Sequence, residues 1–308
     1  MDDLKLLQEK LKQNPNDYNL LEEYAVRLSD IGENEEALKN FIFLNEQFPN
    51  NSKILYNIGI ILEKLKYYDK AISAYVKALD ITPDDTDIMY NLANVYVTVK
   101  NYNDAENLFT LVIQKDKNDA NSYFHLGEIY SKKRIHEKAI ENLTKAIQLN
   151  NEDIIAKFYL AYEYKAIGKI DLAIDWYNKV LEQNSDYSWA YYNLALIYLE
   201  KGDDNTAISL LEKTIKTNPL DKEAIKLLIK VYSKHKKYSL AERVLRQAIH
   251  DLPQDADMCY LLAKVYKELK SRINYIKYLK YTINKQVTFS GDIEEVQKEL
   301  QVAEENKN

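Results

Sequence analysis

Apolar and polar positions recur along this chain with two periods at once. The short period is helical. In residues 52–85, Leu55, Ile58, Gly59 and Leu62 fall at i, i+3, i+4 and i+7, and Ala71, Tyr75, Ala78 and Leu79 form a second stripe of the same kind. A polar turn, Lys66 to Asp69, separates the two stripes, and Pro83-Asp84-Asp85 closes the segment. The long period is 34 residues, kept without insertion or deletion from residue 18 to about residue 287. It is plainest in a register of alanines: Ala37, Ala71, Ala105, Ala139, Ala173, Ala207 and Ala241. A period of this length marks a stacked array of one structural unit rather than a single irregular core. The pattern predicts an all-α chain of eight helix-turn-helix units, 18–51, 52–85, 86–119, 120–153, 154–187, 188–221, 222–255 and 256–289.

Numbering each unit from 1 to 34 sorts the positions by role. Position 8 is small in seven copies, as in Ala25, Gly59 and Gly127. Position 11 is Leu or Tyr throughout, and position 24 is aromatic or Leu, as in Phe41, Tyr75, Phe109 and Leu143. Small residues at 8 and 20 are expected to let two helices approach, with the large residues filling the space between units. Residues 192–219, YNLALIYLEKGDDNTAISLLEKTIKTNP, carry nearly the whole pattern, with Leu211 at position 24. It resembles the tetratricopeptide repeat family, whose units have small residues at 8 and 20, Tyr at 11, an aromatic at 24 and Pro at 32. The resemblance extends over all eight units. It implies a right-handed superhelical solenoid of paired antiparallel helices with a concave inner groove, and a role in binding proteins.

The ends depart from the unit. Residues 1–17 read as the second helix of a half unit, with Leu4, Leu7 and Leu11 on one stripe and Pro15 in register with Pro49. In the last unit Tyr275 replaces the small residue of position 20, which is expected to open or shift that helix pair, or simply to mark an atypical terminal unit. Residues 290–308 read as a capping helix, with Ile293, Val296 and Leu300 on one stripe and a tail disordered after about 303.

Helix geometry opposes positions 2, 5, 9, 12 and 13 to the core stripe, so these should line the groove. Position 5 holds Tyr56, Tyr90, Phe124, Phe158, Tyr192 and Tyr260, broken by Glu22 and Lys226. These rings either stack on a ligand or pack on the next unit. Position 6 offers Asn57, Asn91, His125 and Asn193, and position 9 offers Asn94; such amides can grip a peptide backbone or bond within their own scaffold. Chaperone-binding members of the family hold a C-terminal carboxylate with a Lys and Asn set spread over three successive units, and no three units here carry it.

Charge sharpens one region. Residues 222–289 hold 15 Lys or Arg against 6 Asp or Glu, whereas the whole chain has a net charge of −6. Lys226, Lys230 and Lys234 form a stripe on the seventh unit, and Lys264 and Lys267 follow on the eighth. They read as a basic mouth for an acidic peptide, or as solvated lysines with the acidic tail folded over them. Nucleic acid is disfavoured by the short stripe and the negative total.

No chemistry emerges. His125, His136, His235 and His250 lie in separate units without metal-ligand spacing, Cys259 is the single cysteine and sits at a core position, and no glycine-rich phosphate loop exists. No catalytic residue, metal or cofactor is expected. The opening MDDLKLLQEK lacks a signal-peptide pattern and no run of 18 apolar residues exists, so a cytoplasmic chain without membrane insertion is expected. The expected function is a non-enzymatic scaffold that binds a partner peptide in its concave groove. The alternative is an assembly protein that self-associates through its repeat ends as a homo-oligomer.

Overall fold

The computed structural model describes residues 2–305, which contain helices and no strand. The chain opens with α1 (Asp2–Gln13). Helices then follow in couples along the chain: α2 (Tyr18–Asp30) and α3 (Asn34–Gln47), α4 (Ser52–Lys64) and α5 (Tyr68–Ile81), α6 (Thr86–Thr98) and α7 (Tyr102–Lys115), α8 (Ala120–Lys132) and α9 (His136–Leu149). Next come α10 (Ile154–Ala166) and α11 (Ile170–Gln183), α12 (Ser188–Glu200) and α13 (Asp204–Thr217), α14 (Lys222–Lys234) and α15 (Tyr238–Asp251), and α16 (Ala256–Glu268) and α17 (Arg272–Asn284). A 3-10 turn, Gln286–Thr288, leads into α18 (Ile293–Glu305). The first helix of every couple begins at the same position of the repeat, and so does the second. The helices belong to two compact bodies, one ending at Glu163 and one starting at Tyr164.

Each body is cored by the strict positions of the repeat. The seven register alanines are all fully buried, and position 24 is buried from Phe41 to Leu279. In the first body a Cβ on Gly59 would lie 2.5 Å from the Tyr75 ring, and one on Gly127 would lie 2.6 Å from Leu143. The two helices of a unit therefore touch through position 8, as the small residues imply. Leu7 of α1 is buried, and Leu4 packs on the same core as Tyr18 and Leu21.

Two further periodic features set the helix ends. Seven of the eight first helices are preceded by Asp17, Asn51, Asp85, Asp119, Asp153, Asp221 or Asp255, whose side chain accepts a hydrogen bond from a backbone N–H two or three residues on, whereas α12 follows Tyr187, which makes no such cap. Such caps satisfy amides that the helix leaves without partners, at roughly 1 kcal/mol each. At unit position 15 the backbone is left-handed in all eight couples: Gly32, Gly168 and Gly202, but also Lys66, Lys100, Arg134, Lys236 and Lys270 at φ of 55–63°. The next amide then bonds back to the carbonyl of position 11, as Tyr67 N does to Leu62 O at 2.8 Å, and the first helix stops.

Tyr275 does not open its helix pair. It is buried in one core with Tyr266 and Leu279, and its hydroxyl donates to Glu299 Oε2 of α18 at 2.7 Å. The bulk that replaces the small residue is the anchor of the terminal helix. That helix continues to Glu305, past the expected onset of disorder, and the remaining tail, 306–308, lies outside the described residues.

Candidate functional site

In the first body, residues at positions 5 and 6 meet across successive units. Asn91 Nδ2 donates to Tyr56 Oη at 2.7 Å, Tyr90 Oη lies 3.1 Å from His125 Nε2, and the Phe124 ring sits edge-on to Tyr159 at 5.8 Å. His125 also stacks on Phe109 at 5.0 Å. Burial raises the phenols of Tyr56 and Tyr90 above their ordinary range. Tyr56, Tyr90 and Phe124 thus meet the next unit and stay half-buried, as do Asn57, Asn94 and Phe158. In the second body, Asn193 is buried and donates to Trp189 O of its own helix at 2.9 Å, while Tyr192 and Tyr260 pack partly on the core.

Four lysines of the second body, together with Glu268, line a cleft of about 450 Å³ between α14 and α16. Ile229, Leu261 and Val265 supply apolar surface, and Lys226, Lys230, Lys264 and Lys267 project around it. Lys226 is held by Asp257 at 3.0 Å, and Asp257 also accepts from Ser290 N and Oγ. Burial pushes the Lys226 ammonium down, but Asp257 and Glu223 together outweigh it and the net direction is up. Lys264 pairs with Glu299, and Lys267 lies 5.6 Å over the Tyr275 ring. Lys230 is exposed and has no charged partner among the described residues. Lys234 stands apart: it and His235 both hold Asp204, so the expected three-lysine stripe splits after Lys230.

Glu299 of α18 reaches the Lys264 edge of this region. It accepts from Tyr260 Oη at 3.2 Å, from Tyr275 Oη and from Lys264. Burial raises its carboxyl, but the Lys264 and tyrosine hydrogen bonds outweigh this and leave it below the ordinary glutamate value. A folded-state value below the unfolded one adds stability above the unfolded value, about 4.3, and that stability is lost as pH falls through the folded value. We therefore expect the amides of α18 to lose hydrogen-exchange protection below about pH 4, before those of α14. Simultaneous loss in both helices would remove Glu299 as the clasp.

Among the described residues no cluster of three or more His, Cys, Asp or Glu is placed to hold a metal, and no helix is long and apolar enough to cross a membrane. Cys259 is free and fully buried, and burial raises its thiol despite nearby Lys285. The reading in which the acidic tail folds over the lysines holds at Lys264 and Lys280, paired with Glu299 and Glu304; which lysines it would reach, and the Asp257–Ser290 contact, depend on where the chain returns after α17. The acidic composition of residues 290–305 was the available signal.

Profiles of the tetratricopeptide repeat match residues 24–86, 62–126, 120–153 and 190–223, and a TPR repeat profile matches 161–202, together more than half of the chain. The chain belongs to the tetratricopeptide repeat family. No curated protein matches it. Among solved structures, it is similar to YrrB, described as a TPR protein with an unusual peptide-binding site, at 24% identity and a TM-score of 0.53 over 61% of this chain and 96% of that one. MamA 41-end from Desulfovibrio magneticus RS-1 is 26% identical with a TM-score of 0.54, covering 56% of this chain and 97% of that one. A tetratricopeptide repeat protein from Parabacteroides merdae is 16% identical with a TM-score of 0.59, covering 93% and 98%. The likenesses to YrrB and the Parabacteroides protein carry the fold alone. A tetratricopeptide repeat chain of this kind is a scaffold for protein–protein interaction, and the family and fold are typically non-catalytic.

Proposed function

We propose that this chain binds a peptide segment of a partner protein on the inner faces of its first helices, and that an acidic residue of that segment enters the cleft between α14 and α16. In this reading the eight units from 18–51 to 256–289 form the array, residues 1–17 and 290–308 cap it, and its work is binding without catalysis. The observation that carries the proposal is the cleft itself, in which four lysines surround Ile229, Leu261 and Val265. A carboxylate there meets Lys230 and Lys267, and a neighbouring aliphatic group covers the apolar surface. Tyr56, Tyr90 and Phe124, half-buried in the first body, are the corresponding candidate contacts of that body taken by itself.

The test is a display of random peptides selected on the full chain. Acidic residues should be enriched, and Lys230→Glu with Lys267→Glu should weaken the selected peptides by about tenfold or more. Both lysines are exposed, so the double variant should keep its helical circular dichroism. Selected peptides that carry no acidic residue, or that ignore the double variant, would sink the proposal.

A further inference from the structure

We propose that the first body also docks on the surface of an anionic lipid bilayer, through the turns between the paired helices of its second, third and fourth units. These turns are separate from the inner faces of the first helices and from the α14–α16 cleft, so the inference stands apart from the peptide reading.

Lys66, Lys100 and Arg134 occupy position 15 of three successive units, and each has a left-handed backbone at φ of 58–63°. Glycine adopts that conformation freely, whereas a Cβ there crowds the following carbonyl oxygen. Conformations of this kind are kept where a site uses the side chain. The fold itself does not use these three: all are exposed, and none makes an ion pair among the described residues. Lys64 and Lys133, on the same turns, point back instead, to Ser29 Oγ at 2.8 Å and Glu106 at 2.6 Å. Both of these contacts reach the preceding unit, so neighbouring turns stand side by side on one edge of the body.

Each of the three cations adjoins an exposed apolar residue. Tyr67 is 53% exposed, Val99 39% and Ile135 40%. Lys70 lies over the Tyr67 ring at 5.3 Å and brings a further cation to that turn. Positions 13–19 of the three units hold eight Lys or Arg against Asp69, Asp104 and Glu137, on a chain of net charge −6. The first unit bounds the surface. Its left-handed residue is Gly32, and its turn holds Asp30, Glu33, Glu35 and Glu36 without a cation.

Cations that recur once per unit do not converge on one small anion, because stacked helices lie about 8–10 Å apart. An extended array of anions meets all three. A soluble polyanion would answer the charge and leave Val99 and Ile135 in water. A bilayer answers both, with acidic headgroups in its plane and an apolar boundary beneath them for Val99, Ile135 and the Tyr67 ring.

The test is sedimentation of the full chain with vesicles of phosphatidylcholine, either pure or with about one third phosphatidylserine. The anionic vesicles should take up the chain and the neutral ones should not, and uptake should fall as salt rises. Lys66→Gly with Lys100→Gly and Arg134→Gly should weaken uptake by about tenfold or more. That variant should keep its helical circular dichroism, because glycine suits the left-handed turn. Tyr67→Ser with Val99→Ser and Ile135→Ser keeps the charge and alters only exposed side chains; it should weaken uptake by about threefold or more. No uptake by anionic vesicles overturns the proposal, and so does uptake that either variant leaves unchanged. Uptake that resists the serine variant but is displaced by polyglutamate or RNA would assign the edge to a soluble polyanion instead.

Discussion

Gly59→Leu is expected to destabilise the first body by about 3 kcal/mol, a loss of urea midpoint well outside error. The reason is local and geometric. A Cβ alone at this position falls 2.5–2.9 Å from three atoms of the Tyr75 ring. That ring is fully buried and its hydroxyl is engaged by Glu63 at 3.2 Å, so it has nowhere to turn. Inserting a whole isobutyl group forces α4 and α5 apart, and overpacking of this kind costs about 1–3 kcal/mol or more. The better helix propensity of leucine offsets roughly 1 kcal/mol at most. Val76→Leu, on the exposed side of α5, is the matched control and should change little. A Gly59→Leu chain as stable as the parent would mean that position 8 is not the contact between the paired helices.

Tyr275→Ala is expected to release α18 while leaving the first body untouched. The substitution restores the small residue that the other seven units carry at this position, so a reading from the repeat alone would anticipate no harm. The structure anticipates the reverse. Tyr275 fills a buried site and donates to Glu299, the residue through which α18 is tied to Tyr260 and Lys264. Removing a buried aromatic costs about 3–5 kcal/mol. Here the loss should appear first as exchange and proteolysis of residues 293–305. Tyr275→Phe keeps the packing and loses only the hydroxyl contact, about 1 kcal/mol, so it should fray α18 mildly. Hydrogen exchange read by mass spectrometry separates the two variants, and α18 protected equally in both would remove Tyr275 as its anchor.

Much of the scaffold is legible in the chain because each unit is built from local periodicities that repeat. A helical stripe fixes each helix, and the longer beat of the repeat fixes where Ala71 or Phe109 must lie. The helix ends were less legible. The left-handed residue at position 15 is glycine in three couples but Lys or Arg in five, so composition hides a conformational requirement that backbone geometry exposes. The Asp and Asn caps recur at the same period, but a cap is recognised only once the helix start is known. Tyr275 shows the opposite failure: a departure from the pattern reads as damage until the chain beyond it is in place.

The candidate site divides in the same way. The excess of lysine near the end of the array follows from counting, and the cleft puts Lys226, Lys230, Lys264 and Lys267 together as the count implies. Their pairing does not follow from counting. Asp257 and Glu299 hold two of the four, and Asp204 draws Lys234 away, through contacts that cross from one helix couple to the next. The joining of position 5 to position 6 of the next unit, Tyr56 to Asn91, depends on helix rotation that periodicity alone leaves undetermined.

The central claim is that recognition resides in the α14–α16 cleft. It is tested most directly by measuring the acetylation rate of each lysine, by mass spectrometry, with and without a selected acidic peptide. Lys230 and Lys267 should be protected by about threefold or more at a peptide concentration well above half-saturation, while Lys66 and Lys100, exposed at the turns of the first body, keep their rates. Protection spread evenly over the chain, or confined to lysines outside the cleft, would contradict the account.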